Sequence, residues 1–497
     1  MGGILYSIRG LPESTALSQR NVLVIMSDEH NPKVLRHAGH PVIHTPNLDA
    51  LAARGTAFSA AYTTSPVCIP ARAGFACGKY IHQIGFWDNA DAYDGSVPSW
   101  HHLLREAGHR VVSIGKLHFR LTGEDHGFSE EQIPMHIYQG KGDLIGLIRD
   151  DMPARGNSKK MAAMAGPGES TYTFYDKDIC SRAQVWLREQ GTRKEDKPWV
   201  LFVSFVAPHF PLTAPPEHYY RYWNQELPMP KLYAREQRPK HPYLVDYGRN
   251  FNYDDYFVSP QDVKKALSGY FGLVSYLDEN IGKLLFALKD AGLADDTVVM
   301  YTSDHGDNLG ARGLWGKSTM YEEIAGVPFI VAGPGVPEGK RVDTPVSHVD
   351  ALPTILEGAG MPVPSGYPGV SLFDVARGAK PQRTVLSEYH GMGSSTGAFA
   401  VRVGKWKYVH YAKYPPQLFD LENDPDEIHD LAADANYADA RELCRRKLYE
   451  ICDPVEVDRR ARARQAELLA LNGGREAVIK RGDFGFTPAP GTVADFK

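Results

Sequence analysis

The sequence predicts an α/β protein: a large, mainly parallel sheet sandwiched by helices, followed by a smaller C-terminal subdomain built on an antiparallel sheet. Three observations carry this prediction. Short apolar runs lie between turn signals, amphipathic stretches separate them, and the rhythm changes to short alternating strands after about residue 380. Strands that alternate with helices pair in parallel and are covered on both faces. Such sheets present their functional groups at the carboxyl ends of their strands.

The runs that predict strands are 21–27, 111–114, 200–206, 297–303 and 327–332. Residues 46–54 open with Pro46, suited to a first helical turn, and place Leu48, Leu51 and Ala52 on one face. Between 262 and 290, Val263, Leu267, Tyr270, Val274, Leu277, Ile281, Leu284 and Leu288 recur at steps of three and four, and Gly292 stops that helix. The polar stretch 375–383 is a linker. Strands at 384–388, 398–403 and 406–411 make the small sheet, a charged helical stretch covers 435–470, and a Gly/Pro-containing tail follows. The chain therefore divides into an N-terminal extension (1–20), an α/β catalytic domain (21–380), a C-terminal α+β subdomain (381–470) and a tail (471–497). The tail is expected in contacts of a homo-oligomer, a dimer or tetramer.

The composition narrows the function. The 497 residues are 43% hydrophobic and 23% charged, enough for a sizeable core and against disorder. A net charge of −5 argues against a general nucleic-acid binder. Gly 47 and Pro 35 make a loop-rich chain, as an enzyme with many strand-to-helix turns requires. Five irregularly spaced cysteines form neither a disulfide framework nor a zinc ribbon. No apolar run approaches the ~20 residues of a bilayer span, and the first twenty residues hold no continuous apolar signal core. A cytoplasmic protein, with neither membrane nor nucleic acid among its partners, is expected.

The chemistry gathers where the sheet rule directs. The first strand runs into Asp28-Glu29-His30 and the strand at 297 into Asp304-His305-Gly306-Asp307. These acids either cap turns or, if the strands are neighbours, meet and share a cation. Two carboxylates ~4 Å apart repel by about 4 kcal/mol at an effective dielectric of 20. Oxygen donors with one His suit calcium, magnesium or manganese better than zinc. Cys68 precedes Pro70 and Arg72 at a helix start, where free N–H groups and the Arg favour an anion; the bland alternative is a buried structural thiol.

Cys68-x-Pro70-x-Arg72 resembles the signature of the sulfatases, in the alkaline phosphatase superfamily. Further segments are similar to that family in order: His44-Thr45-Pro46-Asn47-Leu48-Asp49, Gly115-Lys116-Leu117-His118, Pro208-His209, Ser303-Asp304-His305-Gly306, the Lys317 loop at 316–323, and 418–421 with 424–427. The resemblance, over residues 20 to 435, implies an alkaline phosphatase-like fold and hydrolysis of small sulfate monoesters. It implies that Cys68 is oxidised to formylglycine by dedicated formylglycine-generating machinery, the hydrate being the nucleophile. Asp28, Asp304, His305 and residue 68 would bind one divalent ion, most simply Ca2+, with Mn2+ or Mg2+ as alternatives. Lys116 and Arg72 would hold the nucleophile and the sulfate charge, and His118 would take a proton from the hydrate. His209 and Lys317 would bind sulfate and protonate or stabilise the leaving oxygen. Two positions depart from the family pattern: Glu29 where a second Asp is usual, which leaves it off the metal set, and Ile69 where a small residue is usual.

The Trp87-Asp88-Asn89-Ala90 segment and the region from Glu388 to Tyr411 look like those of choline sulfatase-like bacterial enzymes, and Asn89 is expected beside the sulfate or leaving group. Choline-O-sulfate, aryl sulfates and alkyl sulfates are the candidates. Phosphonate monoester or phosphodiester hydrolysis by the same residues is the main rival. A metal-stabilised binding protein with a free Cys68 thiol is another, which the set Lys116, His118, His209 and Lys317 opposes.

Overall fold

The computed structural model describes residues 19–193, 195–381, 383–494 and 496, so most of the N-terminal extension lies outside the described residues. Eight strands form the main sheet: β1 (Asn21–Asp28), β2 (Gly55–Phe58), β3 (Val111–Lys116), β4 (Glu130–Met135), β5 (Val200–Pro208), β6 (Thr297–Ser303), β7 (Phe329–Ala332) and β8 (Lys340–Val342). Their spatial order is β8-β2-β7-β6-β1-β5-β3-β4. β1 pairs in parallel with both β5 and β6, with Ser27 opposite Ser303. The two acid-bearing strand ends are thus neighbours.

Alternation along β1 explains the two-sided cover. Val22, Val24 and Met26 face one layer with Phe75, Trp100 and Leu352. Leu23 and Ile25 face the other, against Ile179, Ala183, Leu277 and Ile281. The helices involved include α1 (Pro46–Ala53), α2 (Cys68–Cys77), α3 (Thr171–Gln190) and α4 (Pro260–Asp290). Because both faces of β1 are covered, its sequence is a continuous apolar run with no polar alternation.

Several expectations are refined. β7 runs antiparallel to β6 and β2. Residues 304–328 keep the chain at the carboxyl end of β6 without a crossover helix, so the next strand must run back. The 375–383 linker is shorter than expected: the helix Leu372–Arg377 buries Phe373, Val375 and Ala376. The C-terminal sheet is β9 (Val385–Tyr389), β10 (Ala398–Val403), β11 (Trp406–Tyr411) and an additional β12 (Gln417–Asp420), all antiparallel. The 435–470 stretch is two helices, α5 (Ala438–Tyr449) and α6 (Pro454–Leu471), because Asp453 caps a new start and Pro454 takes its first turn. The tail adds α7 (Gly474–Arg481) and then packs on its own chain. The Phe486 ring lies 5.1 Å from Tyr172 and 5.5 Å from Phe210, and Tyr172 Oη donates to Thr487 O at 2.6 Å.

Five buried cysteines are all free thiols. Among the described residues no helix is long and apolar enough to cross a membrane.

Gly115 shows how backbone chemistry aims the end of β3. Its φ is +106°, and a Cβ there would lie 2.3 Å from Ser204 O on the neighbouring strand. Gly115→Ala is expected to lower stability by about 3 kcal/mol, through positive-φ strain plus the clash. Chemical denaturation checks this, and an unchanged midpoint would contradict it.

Candidate active site

Four adjacent strands, β6, β1, β5 and β3, deliver Asp304-His305, Asp28-Glu29, His209 and Lys116-x-His118 in a row at their carboxyl ends. From the adjacent layer, α2 begins at Cys68, and the loop after β6 brings Lys317 across. One ligand atom each from Asp28, Cys68, Asp304 and His305 lies within 4.8 Å of the others, and all four residues are buried. Cys68 Sγ is 3.2 Å from His305 Nε2 and 3.7 Å from Asp28 Oδ1, and it accepts from Lys317 Nζ at 3.0 Å.

Each carboxylate is gripped by cations on one side. Arg72 Nε donates to Asp304 Oδ2 at 2.8 Å and Nη2 to Asp28 Oδ2 at 3.3 Å, while Lys116 Nζ pairs with the same Asp28 oxygen. That leaves Asp28 Oδ1 and Asp304 Oδ1, 4.0 and 3.8 Å from His305 Nε2, turned toward Cys68 and the imidazole. His305 Nδ1 faces the Gly306 carbonyl at 2.9 Å and so carries the proton, leaving Nε2 as a bare donor atom. Two carboxylate oxygens and an imidazole nitrogen with a fixed tautomer fit a hard divalent ion.

Arg72 is committed more fully than expected. Its Nη1 donates to Lys116 O and Ser204 Oγ, both at 2.8 Å, so the guanidinium aligns the acids and the strand end instead of presenting a free fork. Asn89 stands at the residue after Cys68, where its Oδ1 accepts from Ile69 N at 3.3 Å. His118 sits at φ 56° with its amide donating to Met135 O at 2.7 Å. Both its ring nitrogens are buried without a hydrogen-bond partner.

The electrostatics follow from burial among opposed charges. Burial pushes the Asp28 carboxyl up, but Lys116, His209, Arg72 and Lys317 outweigh it and hold it well below the usual range. Burial, reinforced by Asp28, raises the Cys68 thiol to about 12 despite Lys317 and Lys116. The anion expected at this helix start is therefore not a thiolate. His118 and His209 are both held well below the usual imidazole range, first by burial and then by Lys116 and by Lys317 respectively. His209 Nδ1 donates to Phe210 O at 2.5 Å, and Nε2 accepts from Lys317 Nζ at 2.9 Å.

Two buried acids complete the surround. Asp307 Oδ1 accepts from Leu309 N at 2.7 Å and Gly316 N at 3.1 Å, which fixes the loop carrying Lys317. It belongs to the acidic run Asp304-His305-Gly306-Asp307 that follows β6. Glu29 Oε2 lies 3.5 Å from His209 Nε2 and 3.6 Å from Lys317 Nζ, and neither oxygen has a hydrogen-bond partner. Glu29 is not in the group around Cys68 but forms with Asp28 and His209 another set of donor atoms within 4.8 Å of one another. Nothing in the sequence placed it there.

Burial raises Glu29 to about 7, only partly offset by Lys317. A carboxyl whose folded pKa is raised keeps its proton where the unfolded chain has lost it. Its contribution to stability therefore falls as pH rises from about 4.5 to 7. Glu29→Gln is expected to remove about 3 kcal/mol of that decline, read by denaturing chelator-treated protein at about pH 5 and pH 8. Parallel pH slopes in the two proteins would count against it.

In the C-terminal region the Trp87 and His390 rings meet at 5.2 Å, and Gln465 Nε2 bridges Asp88 Oδ2 at 2.7 Å and His390 O at 2.6 Å. Glu388 holds His82 at 2.8 Å and His390 at 3.3 Å. Arg460 covers one face of Trp87, 5.4 Å from its centroid.

A mixed sheet thus brings acids, cations and one cysteine together at its strand ends. The model of the sulfatase family matches residues 20–361, and an N-sulphoglucosamine sulphohydrolase C-terminal model matches residues 310–453. The chain belongs to the sulfatase family and is a sulfuric ester hydrolase. It is 36% identical to the choline-sulfatase of Rhizobium meliloti (strain 1021), over 83% of this chain and 82% of that protein. It is 29% identical to arylsulfatase K of Bos taurus over 83% of this chain and 78% of that protein. The crystal structure of a phosphonate monoester hydrolase of Agrobacterium radiobacter shares the fold, with TM-score 0.70 and 22% identity, covering 90% of this chain and 96% of that one.

Proposed function

We propose that the protein hydrolyses small sulfate monoesters with a formylglycine derived from Cys68 and one divalent ion held by Asp28, Asp304, His305 and residue 68. The observation that carries this reading is the meeting of those four ligand groups within 4.8 Å, with Lys317 Nζ 3.0 Å from Sγ. The oxygen-dominated donor set favours Ca2+, with Mn2+ or Mg2+ as alternatives. A divalent ion bound there supplies Lewis-acid neutralisation of charge developing on sulfate oxygens. Formylglycine, once hydrated, supplies one hydroxyl for attack at sulfur and a second through which the aldehyde is regenerated.

The chain's own residues do the rest. Lys116 and Arg72 hold the two aspartates in a single orientation, so the acids need no rearrangement during the reaction. His118, kept neutral and unpartnered by burial, is the base that takes a proton from residue 68. Lys317 is the proton source at the leaving oxygen, oriented by the lone pair of His209 until substrate enters. Asn89 fixes the start of α2 and with it the direction of residue 68.

The choline-sulfatase relative makes choline-O-sulfate the first ester to try, alongside an aryl sulfate. Mass spectrometry of the peptide bearing residue 68, in protein from its native host, tests the nucleophile: conversion lowers the mass by about 18 Da relative to cysteine. An unmodified thiol throughout refutes the reading. Rates on an aryl sulfate and an aryl phosphonate monoester test the substrate class, and a preference for the phosphonate by orders of magnitude would refute it. The homo-oligomer is likewise proposed, and deletion of 471–497 should lower the mass measured in solution beyond the loss of the residues themselves.

A further inference from the structure

A second cluster lies on the loop and strand that follow β3. His126 ends that loop's approach to β4, Glu131 is in β4, and His136 immediately follows it. One donor atom each from His126, Glu131 and His136 lies within 4.8 Å of the others. The His126 side chain is fully buried and that of His136 only 7% exposed. Yet His126 Nε2 and both ring nitrogens of His136 have no hydrogen-bond partner. Buried imidazole nitrogens are ordinarily satisfied, so three bare ones on two rings beside Glu131 and Glu124 need an explanation.

We propose that His126, Glu131 and His136 form a second metal site, distinct from the reaction centre, that takes a zinc-like divalent transition ion. The donor chemistry separates the two sites. The Cys68 cluster is led by carboxylate oxygens, whereas two imidazoles and one carboxylate suit zinc, cobalt or nickel. His126 Nδ1 lies 2.9 Å from Glu131 Oε1 and its Nε2 faces Glu124, so a proton carried on Nε2 turns the Nδ1 lone pair into the cluster. Glu131 Oε2 is 3.6 Å from His136 Nε2, and Glu124 Oε2 is 3.7 Å from His126 Nε2. Glu131 and Glu124 together match the charge of a dication. The Phe119 and Tyr93 rings, 5.1 and 6.1 Å from His126, wall the site.

The location gives the site a purpose. Met135 O, next to His136, accepts the amides of Leu117 at 3.2 Å and His118 at 2.7 Å. An ion joining His126 to β4 would fasten the loop that begins at His118.

The test uses the full chain, stripped with a chelator and then supplied with excess Ca2+ to fill the oxygen-rich cluster. Co2+ is titrated in, read by visible absorption and by metal content after desalting. Wild type should retain one cobalt per chain more than His136→Gln or Glu131→Gln, with binding at this site weakened by about 10–100-fold or more in each. Glu131→Gln is isosteric and keeps a hydrogen-bonding group beside His126, and melting without cobalt shows that each variant is folded. Equal cobalt retention in wild type and in a folded variant overturns the proposal and leaves a His–Glu–His ion-pair clamp.

Discussion

Cys68→Ala is expected to lower aryl sulfate hydrolysis by roughly four orders of magnitude or more, the scale seen when a covalent nucleophile is removed. The structural cost should be small, about 1 kcal/mol, because one sulfur atom is lost from a buried wall. Lys317 loses its contact with Sγ but keeps His209 at 2.9 Å. Activity and stability therefore part company in this variant. Initial rates beside a denaturation curve check it, and residual activity within tenfold of wild type would exclude residue 68 as the nucleophile.

Asp28→Asn should damage both properties together. Asp28 Oδ2 faces two cations, Lys116 and Arg72. Arg72 retains Asp304, but Lys116, wholly buried, has Asp28 as its carboxylate partner. Removing one member of a buried pair leaves the other charge uncompensated, at about 3–5 kcal/mol. On the proposed function activity should fall too, because Asp28 is one of the four groups proposed to hold the ion. A Lys116→Met change added to Asp28→Asn should recover much of the stability and none of the activity, because the orphaned charge is gone while the ligand set stays broken. Denaturation of both single variants and the double variant decides this. Full stability in Asp28→Asn alone would show that Lys116 is satisfied elsewhere.

The sequence made the central strands legible because burial on both faces leaves a continuous apolar run. The run at 297–303 coincides with β6, and those at 398–403 and 406–411 coincide with β10 and β11. Direction was not legible: nothing in the composition of Phe329–Ala332 says that it runs antiparallel, since that follows from where the preceding loop leaves the chain. The break between α5 and α6 was signalled by Asp453-Pro454 but masked by charge that continues across it. In the site, Asp28, Asp304 and His305 were readable as a group because they close neighbouring strands, and Cys68 joined them through the family resemblance. Glu29 and the full commitment of Arg72 were not, because both depend on side-chain reach across neighbouring strands.

Cys68 is only 1% exposed, and Phe486 and Thr487, near the end of the chain, pack beside Tyr172 and Phe210 next to His209. Burial turns the proposed conversion of residue 68 into a matter of timing. A side chain this deeply recessed can be met by a small ester but not gripped by a macromolecular oxidising catalyst, which must act while the chain is still being made or before α2 docks on the sheet. Protein that folds first would be trapped as the inert thiol. The fraction converted would then record a race between folding and modification, and slowing synthesis or folding in the cell should raise it.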